Sequence, residues 1–133
     1  MKEYVFRLKR GMDLKKSIIE YCTMHQIQSA YIATAVGCLM EVCIRTADGR
    51  SIFQKKEEYE IVSLTGTIAE NGVHIHISLS DQNLQTIGGH LKDGCIVNTT
   101  VELILVELEN YKLSREYDSE TGYPELVINE VDI

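Results

Sequence analysis

The stretch Val73-His74-Ile75-His76-Ile77-Ser78-Leu79-Ser80 decides the fold class, because its apolar and polar side chains alternate with a period of two. Successive side chains of a β-strand point to opposite faces of its sheet. The four aliphatic residues therefore face a core, and the two histidines and two serines face away from it. The pattern predicts a strand over 72–80.

β-Forming residues continue on both sides of this strand. Alternation predicts a strand over 4–9. Runs of β-forming residues predict further strands over 30–36, 39–46, 51–55, 59–68, 95–108 and 126–131. The expected breaks between them are Gly37, Asp48-Gly49, Asn71-Gly72, Gly88-Gly89 and Thr121-Gly122. Asp-Gly and Asn-Gly supply the positive φ angles of hairpin turns, so the sheet is expected to be mainly antiparallel.

One helix is predicted, over about 14–26. Asp13 precedes it as an N-cap, and apolar residues recur at three- and four-residue steps as far as His25, for which a surface or packing role is expected. The segment 103–106 is apolar on both faces, which indicates a central strand covered by the helix, a second sheet or another subunit. The expected fold is α/β, more narrowly α+β: a mainly antiparallel sheet with a flanking N-terminal helix, in one domain spanning 1–133.

Charge and hydropathy limit the possible partners. The 133 residues carry a net charge of −7, and the final quarter, 102–133, holds two bases and nine acids. Affinity for a nucleic-acid backbone comes mostly from clustered Lys and Arg, so direct DNA binding is disfavoured. No run approaches the ~20 apolar residues of a membrane span, and the start lacks the layout of a secretory signal, so we expect a soluble, cytoplasmic protein without membrane contact.

The four cysteines are expected to be reduced core thiols. No CxxC or short Cys/His zinc pattern occurs, and Cys38, Cys43 and Cys95 stand among apolar neighbours.

Three histidines form the candidate site. On the predicted strand, His74 and His76 lie roughly 7 Å apart on one face. His90 follows Gly88-Gly89, where backbone without Cβ can approach another strand or adopt angles closed to other residues. Three neutral imidazoles suit zinc or another divalent metal and leave one coordination position open. An unmetallated polar pocket, or histidines that only hydrogen-bond their neighbours, are the alternatives.

Other polar residues are candidates for the surroundings of this site. Ser63, Thr65 and Thr67 share one face of the strand 59–68, whereas Val62, Leu64 and Ile68 share the other. Their ordinary interpretation is cross-strand pairing. Ser78 lies on the histidine face, and Glu60 and Glu102 are candidate hydrogen-bond acceptors or general bases. Nucleotide-binding and hydrolase motifs such as GxxxxGK[ST], GxGxxG, GxSxG and HExxH are missing.

Several segments in order along the chain resemble the plant-and-prokaryote-conserved (PPC) domain family. They are 60–68, 74–81, Ile87-Gly88-Gly89-His90-Leu91, 94–97 and 121–126. The resemblance implies the α/β fold described above and a homotrimer. It also implies that the segment similar to 59–64 contacts other proteins, as in plant members, whose AT-hook this chain lacks. The histidines matching His74, His76 and His90 are characteristic of the prokaryotic form.

Three functions remain open at this stage. The first is a homotrimeric binding or regulatory module with a metal or small-ligand site. The second is a metal-dependent enzyme that uses the open coordination position. The third is direct DNA binding, which the negative charge opposes.

Overall fold

The computed structural model describes residues 1–131. Nine strands and one helix make up this range. In chain order they are β1 (Lys2–Lys9), α1 (Leu14–Met24), β2 (Ala30–Arg45), β3 (Ile52–Lys55), β4 (Tyr59–Ala69), β5 (Gly72–Ser80), β6 (Thr86–Leu91), β7 (Ile96–Glu107), β8 (Tyr111–Asp118) and β9 (Tyr123–Glu130). The expected fold class, a mainly antiparallel sheet with one helix near the N-terminus, is confirmed. The helix of the described range is not long and apolar enough to span a membrane.

Seven strands form one sheet in the order β1-β7-β2-β4-β5-β6, with β3 on the edge of β2. β6 also pairs with the end of β2, through Ile44 with Leu91 and Arg45 with His90. The path β2-β4-β5-β6 therefore returns to its start and closes on itself. β8 and β9 form a separate antiparallel hairpin.

β2 is a single strand of sixteen residues, so the predicted break at Gly37 is wrong. Gly37 lies inside the strand, at an irregularity in its pairing with β7. A Cβ at this position would be 2.1 Å from the carbonyl oxygen of Thr100. Glycine is therefore required here because two strands approach closely. From sequence alone, a glycine of this kind looks the same as a glycine in a turn.

Gly88-Gly89 is likewise inside a strand, β6, which the sequence pattern missed. A Cβ at Gly88 would be 2.7 Å from the Ile77 carbonyl oxygen, and one at Gly89 would be 2.6 Å from that of Arg45. The two glycines let β6 lie between β5 and β2. β8 was also missed, and β9 begins at Tyr123 instead of 126.

The two predicted hairpin turns differ from expectation in detail. Six residues, 46–51, join β2 to β3, and Gly49 has the expected positive φ of 76°. The β4–β5 turn consists of Glu70 and Asn71, because Gly72 already pairs with Ala69 in the ladder. The turn therefore lies one residue earlier than Asn71-Gly72 predicts.

Helix α1 covers one face of the sheet and ends at Met24, close to its predicted end. Asp13 caps it by accepting a hydrogen bond from the Lys16 backbone N–H at 3.0 Å, and it also accepts one from the Gly94 N–H at 2.7 Å. Its buried residues join a core that includes the central strand β7, where Leu103 and Leu105 are fully buried. His25 lies on the surface with its ring stacked on Tyr21, 4.0 Å between centroids.

No disulfide joins the four cysteines, which all lie in the described range. Cys22 and Cys95 are buried, and burial raises the pKa of each thiol to about 11. These two residues therefore remain protonated and pack as small apolar side chains.

Candidate metal centre

The three candidate histidines lie together on two neighbouring strands. His74 and His76 are on β5, and His90 is the direct cross-strand partner of His76 on β6. One ring nitrogen from each lies within 4.8 Å of the others, and the ring centroids are 4.8, 5.4 and 5.5 Å apart. The sheet register thus joins residues separated by fourteen positions in the chain.

One pair of these rings has the spacing of two ligands of a single ion. Zinc–nitrogen bonds of about 2.0–2.1 Å at a tetrahedral angle place two ligand nitrogens about 3.3 Å apart. The Nε2 atoms of His74 and His76 are 3.2 Å apart. His90 Nδ1 is buried without a hydrogen-bond partner in residues 1–131. The donor set of three imidazoles also leaves a fourth direction for another ligand.

Partial burial lowers the pKa of two of the rings. It lowers the pKa of His90 to about 4, aided by the positive charge of Arg45. Burial also lowers the pKa of His74, with smaller effects from His76 and Arg115. A metal binds the neutral form of imidazole, so these histidines need not lose a proton near pH 7 to become ligands.

The threonines of β4 lie beside the histidines. Thr65 pairs with His76 and Thr67 pairs with His74, and both line a cavity of about 320 Å³ with these two histidines. Ser63 and Ser78 pair with each other farther along the same strands.

The prediction that Val62 shares a face with Leu64 and Ile68 is wrong. The pairing of β4 with β5 shifts between Ile61 and Ser63, so Val62 is the extra residue of a β-bulge. Its side chain is 58% exposed, whereas Leu64 and Ile68 are buried as expected.

The structure does not bring the two candidate carboxylates to the histidines. Glu60 pairs with Ser80, four residues beyond His76 and so about 13 Å along the strand. Glu102 pairs with Arg7 on β1 and Val36 on β2, on another part of the sheet.

Two arginines and a different carboxylate surround the site instead. Arg45 is the β2 neighbour of His90, and Arg115 of β8 donates from Nη2 to Thr67 Oγ1 at 3.1 Å. Together with Glu125 they line a cavity of about 620 Å³ that also includes His74 and His90, here named the arginine pocket. The histidine cleft, of about 470 Å³, adjoins it and is lined by the three histidines, Arg45 and Gly88-Gly89. Sequence patterns do not single out Arg45, Arg115 or Glu125, because their positions beside the histidines depend on strand register.

Comparison with known proteins identifies a family and several relatives. The model of the "Plants and Prokaryotes Conserved (PCC) domain" matches residues 1–109. The bifunctional protein GlmU of Synechococcus sp. (strain JA-3-3Ab) is 36% identical over 131 residues, which are 98% of this chain and 21% of GlmU. This chain therefore spans about a fifth of the length of that relative.

Two solved structures share the fold over nearly the whole chain. A hypothetical protein from Salmonella cholerae-suis is 32% identical, with a TM-score of 0.93 over 97% of this chain and 94% of that one. A metal-containing protein from Archaeoglobus fulgidus is 27% identical, with a TM-score of 0.80 over 96% and 94% of the two chains.

Proposed function

This chain is a member of the plants and prokaryotes conserved domain family, and from that premise we propose that it is a homotrimeric binding or regulatory protein whose histidines hold a divalent metal ion. His74, His76 and His90 are the proposed ligands. The observation that carries the proposal is the convergence of their ring nitrogens within 4.8 Å. Zinc is the proposed metal, because it favours tetrahedral nitrogen donors.

The chemistry of the surroundings supports this assignment. The pKa of His74 and that of His90 are both lowered, which favours the neutral rings, and the buried His90 Nδ1 has no partner in the described range. The related Archaeoglobus protein is metal-containing. A bound ion would supply a Lewis-acid position open to a small ligand, and the cleft has room for one.

Metal content tests the proposal directly. Protein purified without a nickel column is expected to hold about one zinc per chain by elemental analysis. The variant His74→Ala/His76→Ala is expected to lose it. The chain's fourth histidine provides the matched control: His25→Ala should keep the metal, since it lies on the helix end. Metal-free wild-type protein, or equal metal in all three proteins, would remove the proposal.

The proposed homotrimer is supported by the outer face of β1, β7 and β2. Val5 is 69% exposed and Val36 57% exposed, and both lie on the face opposite α1. Exposed apolar patches of this kind mark protein interfaces. Tyr31 lies on the same strand and lines a cavity with His74 and His76, so the proposed interface borders the site.

Light scattering after gel filtration tests the assembly. Wild-type protein is expected at three times the 15.1 kDa chain mass. Val5→Lys/Val36→Lys should lower that mass. Ile128→Lys, which places the same charge at an exposed position on the β9 hairpin, should leave it unchanged. A wild-type monomer, or a trimer in the double variant, would contradict this interface.

A metal-dependent enzyme is the second candidate function. Glu125 favours it, because this carboxylate lines the arginine pocket with His74 and His90 and would be placed to move a proton. A screen of small esters, amides and phosphoesters would show turnover that is lost in His90→Ala and reduced in Glu125→Gln. Turnover that persists without metal would exclude this function.

A further inference from the structure

We propose that Arg45 and Arg115 form an anion-binding site beside the three histidines, which takes a small molecule carrying a carboxylate or phosphate group. This inference deepens the proposed function by naming the class of ligand. Contact of that ligand with a metal rests on the proposed function, whereas its contact with the two arginines does not. The site is the arginine pocket defined above.

Unpartnered polar atoms gather at this place. Four buried side-chain nitrogen or oxygen atoms of residues 1–131 have no hydrogen-bond partner, and three belong to residues that line the pocket: Arg45 Nε, Arg115 Nε and His90 Nδ1. Buried polar groups in native proteins are normally satisfied. A ligand with acceptor oxygens would satisfy the two arginine donors.

Arg45 is fixed by the closure of the sheet. It ends β2 and pairs with His90, so its charge stands next to the histidines and lowers the pKa of His90. It forms no salt bridge with any residue of the described range. Its guanidinium is therefore available to an external anion.

Arg115 lies on the β8 hairpin and lines the same pocket. Its side chain runs beside Gly72, where an added Cβ would be 3.1 Å from its Cδ. It reaches Thr67, the cross-strand partner of His74. Asn71 holds this hairpin through two hydrogen bonds, its Nδ2 donating to the Arg115 carbonyl at 2.9 Å and its Oδ1 accepting from the Arg115 N–H at 2.8 Å. Arg115 is thus positioned by backbone contacts and also lacks a salt bridge in the structure described.

Neither acidic residue of the pocket forms a salt bridge with these arginines in residues 1–131. Asp48 accepts hydrogen bonds from Thr46, Arg50 and Ser51 of its own loop, which hold its pKa well below the ordinary value. Glu125 is the other carboxylate in the lining. Both guanidinium groups therefore keep donors that neither carboxylate takes up, and a metal at the histidines would add further positive charge.

The geometry selects a small anion. Guanidinium groups present parallel N–H donors that match the paired oxygens of carboxylate and phosphate. The 620 Å³ volume is typical of a small-molecule site. A ligand with one oxygen on the metal and an anionic group on the arginines would use both halves of the cavity.

Calorimetric titration of the zinc-loaded protein with inorganic phosphate, and separately with malonate, tests the inference. We expect one or both anions to bind. Arg45→Gln and Arg115→Gln should each weaken binding about 10- to 100-fold, the effect of losing a hydrogen bond between charged groups. Arg10→Gln, which removes an exposed arginine outside the pocket, should bind as wild type does. Zinc content is measured in every variant, so that loss of the anion site is separated from loss of metal.

The results distinguish the two proposals. Zinc binding without phosphate or malonate binding would overturn the anion site and leave the metal proposal standing. Equal binding by wild type and both variants would also overturn it. If the wild type holds no zinc, the same titration of metal-free protein decides: binding that Arg45→Gln weakens supports the site, and no binding refutes it. Should Arg115→Gln fail to fold, Arg45→Gln and Arg45→Lys decide alone, the lysine variant retaining part of the affinity.

Discussion

Replacing Gly89 by alanine is expected to open the seam between β6 and β2. The added Cβ would lie 2.6 Å from the Arg45 carbonyl oxygen. Close C···O contacts in proteins are about 3.3 Å, so β6 must move about 0.7 Å. A backbone hydrogen bond of about 2.9 Å would then lengthen to about 3.6 Å, which no longer counts as a bond. Since only two residue pairs join these strands, the whole seam is affected.

The expected cost follows from these two effects. Overpacking costs about 1–3 kcal/mol, and each lost hydrogen bond about 1 kcal/mol, so we expect the free energy of unfolding to fall by about 2–4 kcal/mol. With a urea dependence of about 2 kcal/mol per molar, the unfolding midpoint falls by about 1–2 M. His90 and Arg45 face each other across the seam, so zinc content should fall as well. Protein concentration is held constant, because assembly contributes to apparent stability.

Gly72→Ala is the matched control for this experiment. Its Cβ would meet only the flexible Arg115 side chain, at 3.1 Å. We expect its free energy of unfolding to stay within about 0.5 kcal/mol of the wild-type value. A Gly89→Ala midpoint equal to that of Gly72→Ala, with zinc retained, would refute the proposed role of this glycine.

Four further outcomes are expected. Asp13→Ala removes the helix cap and should lower the free energy of unfolding by about 1–2 kcal/mol in urea; an unchanged midpoint would contradict the capping. Asn71→Ala removes two hydrogen bonds to the Arg115 backbone, so limited proteolysis should cut the β8–β9 hairpin about tenfold faster, and equal rates would disprove this attachment. Cys22 and Cys95 have a pKa of about 11 when folded, above that of unfolded thiols near about 8.5, so the folded state retains protons and stability should decline between about pH 9 and pH 11. Stability unaffected by pH over that range would exclude this linkage. A duplex-DNA gel shift should show no complex at low or physiological salt because of the net charge of −7, and a shift that salt removes would restore the DNA-binding alternative.

The strands with strict alternation could be predicted from the sequence, and the glycine-rich strands could not. β5 matches the predicted strand 72–80, because its apolar and polar residues alternate strictly and so assign each side chain to one face of the sheet. The sequence predicts breaks between strands at Gly37 and Gly88-Gly89, because a glycine needed for close strand approach has the same local pattern as a glycine in a turn. β8 was missed because Leu113 is its only buried residue, so its pattern carries little periodic signal.

The candidate site shows the same limit at the level of register. The alternation of one strand predicts that His74 and His76 share a face. The position of His90 after two glycines indicates that it joins them. Arg45 and Arg115 were not predicted, because they come from distant strands whose alignment depends on bulges and closure of the sheet. Side chains brought together by one strand are visible in sequence, whereas those brought together by several strands require coordinates.

The length of β2 has a consequence for how the chain folds as it is synthesised. This strand has partners on β3, β4, β6 and β7, all of which follow it in the chain. A nascent chain that ends at Leu91 contains β2, β4, β5 and β6, which form the closed part of the sheet. Its β2 edge that normally pairs with β7 would remain open. Pairing over such separations is slow and leaves open edges that aggregate. We therefore expect chains truncated at Leu91 to be cut readily by protease, and chains that include residue 107 to resist it once they have left the ribosome.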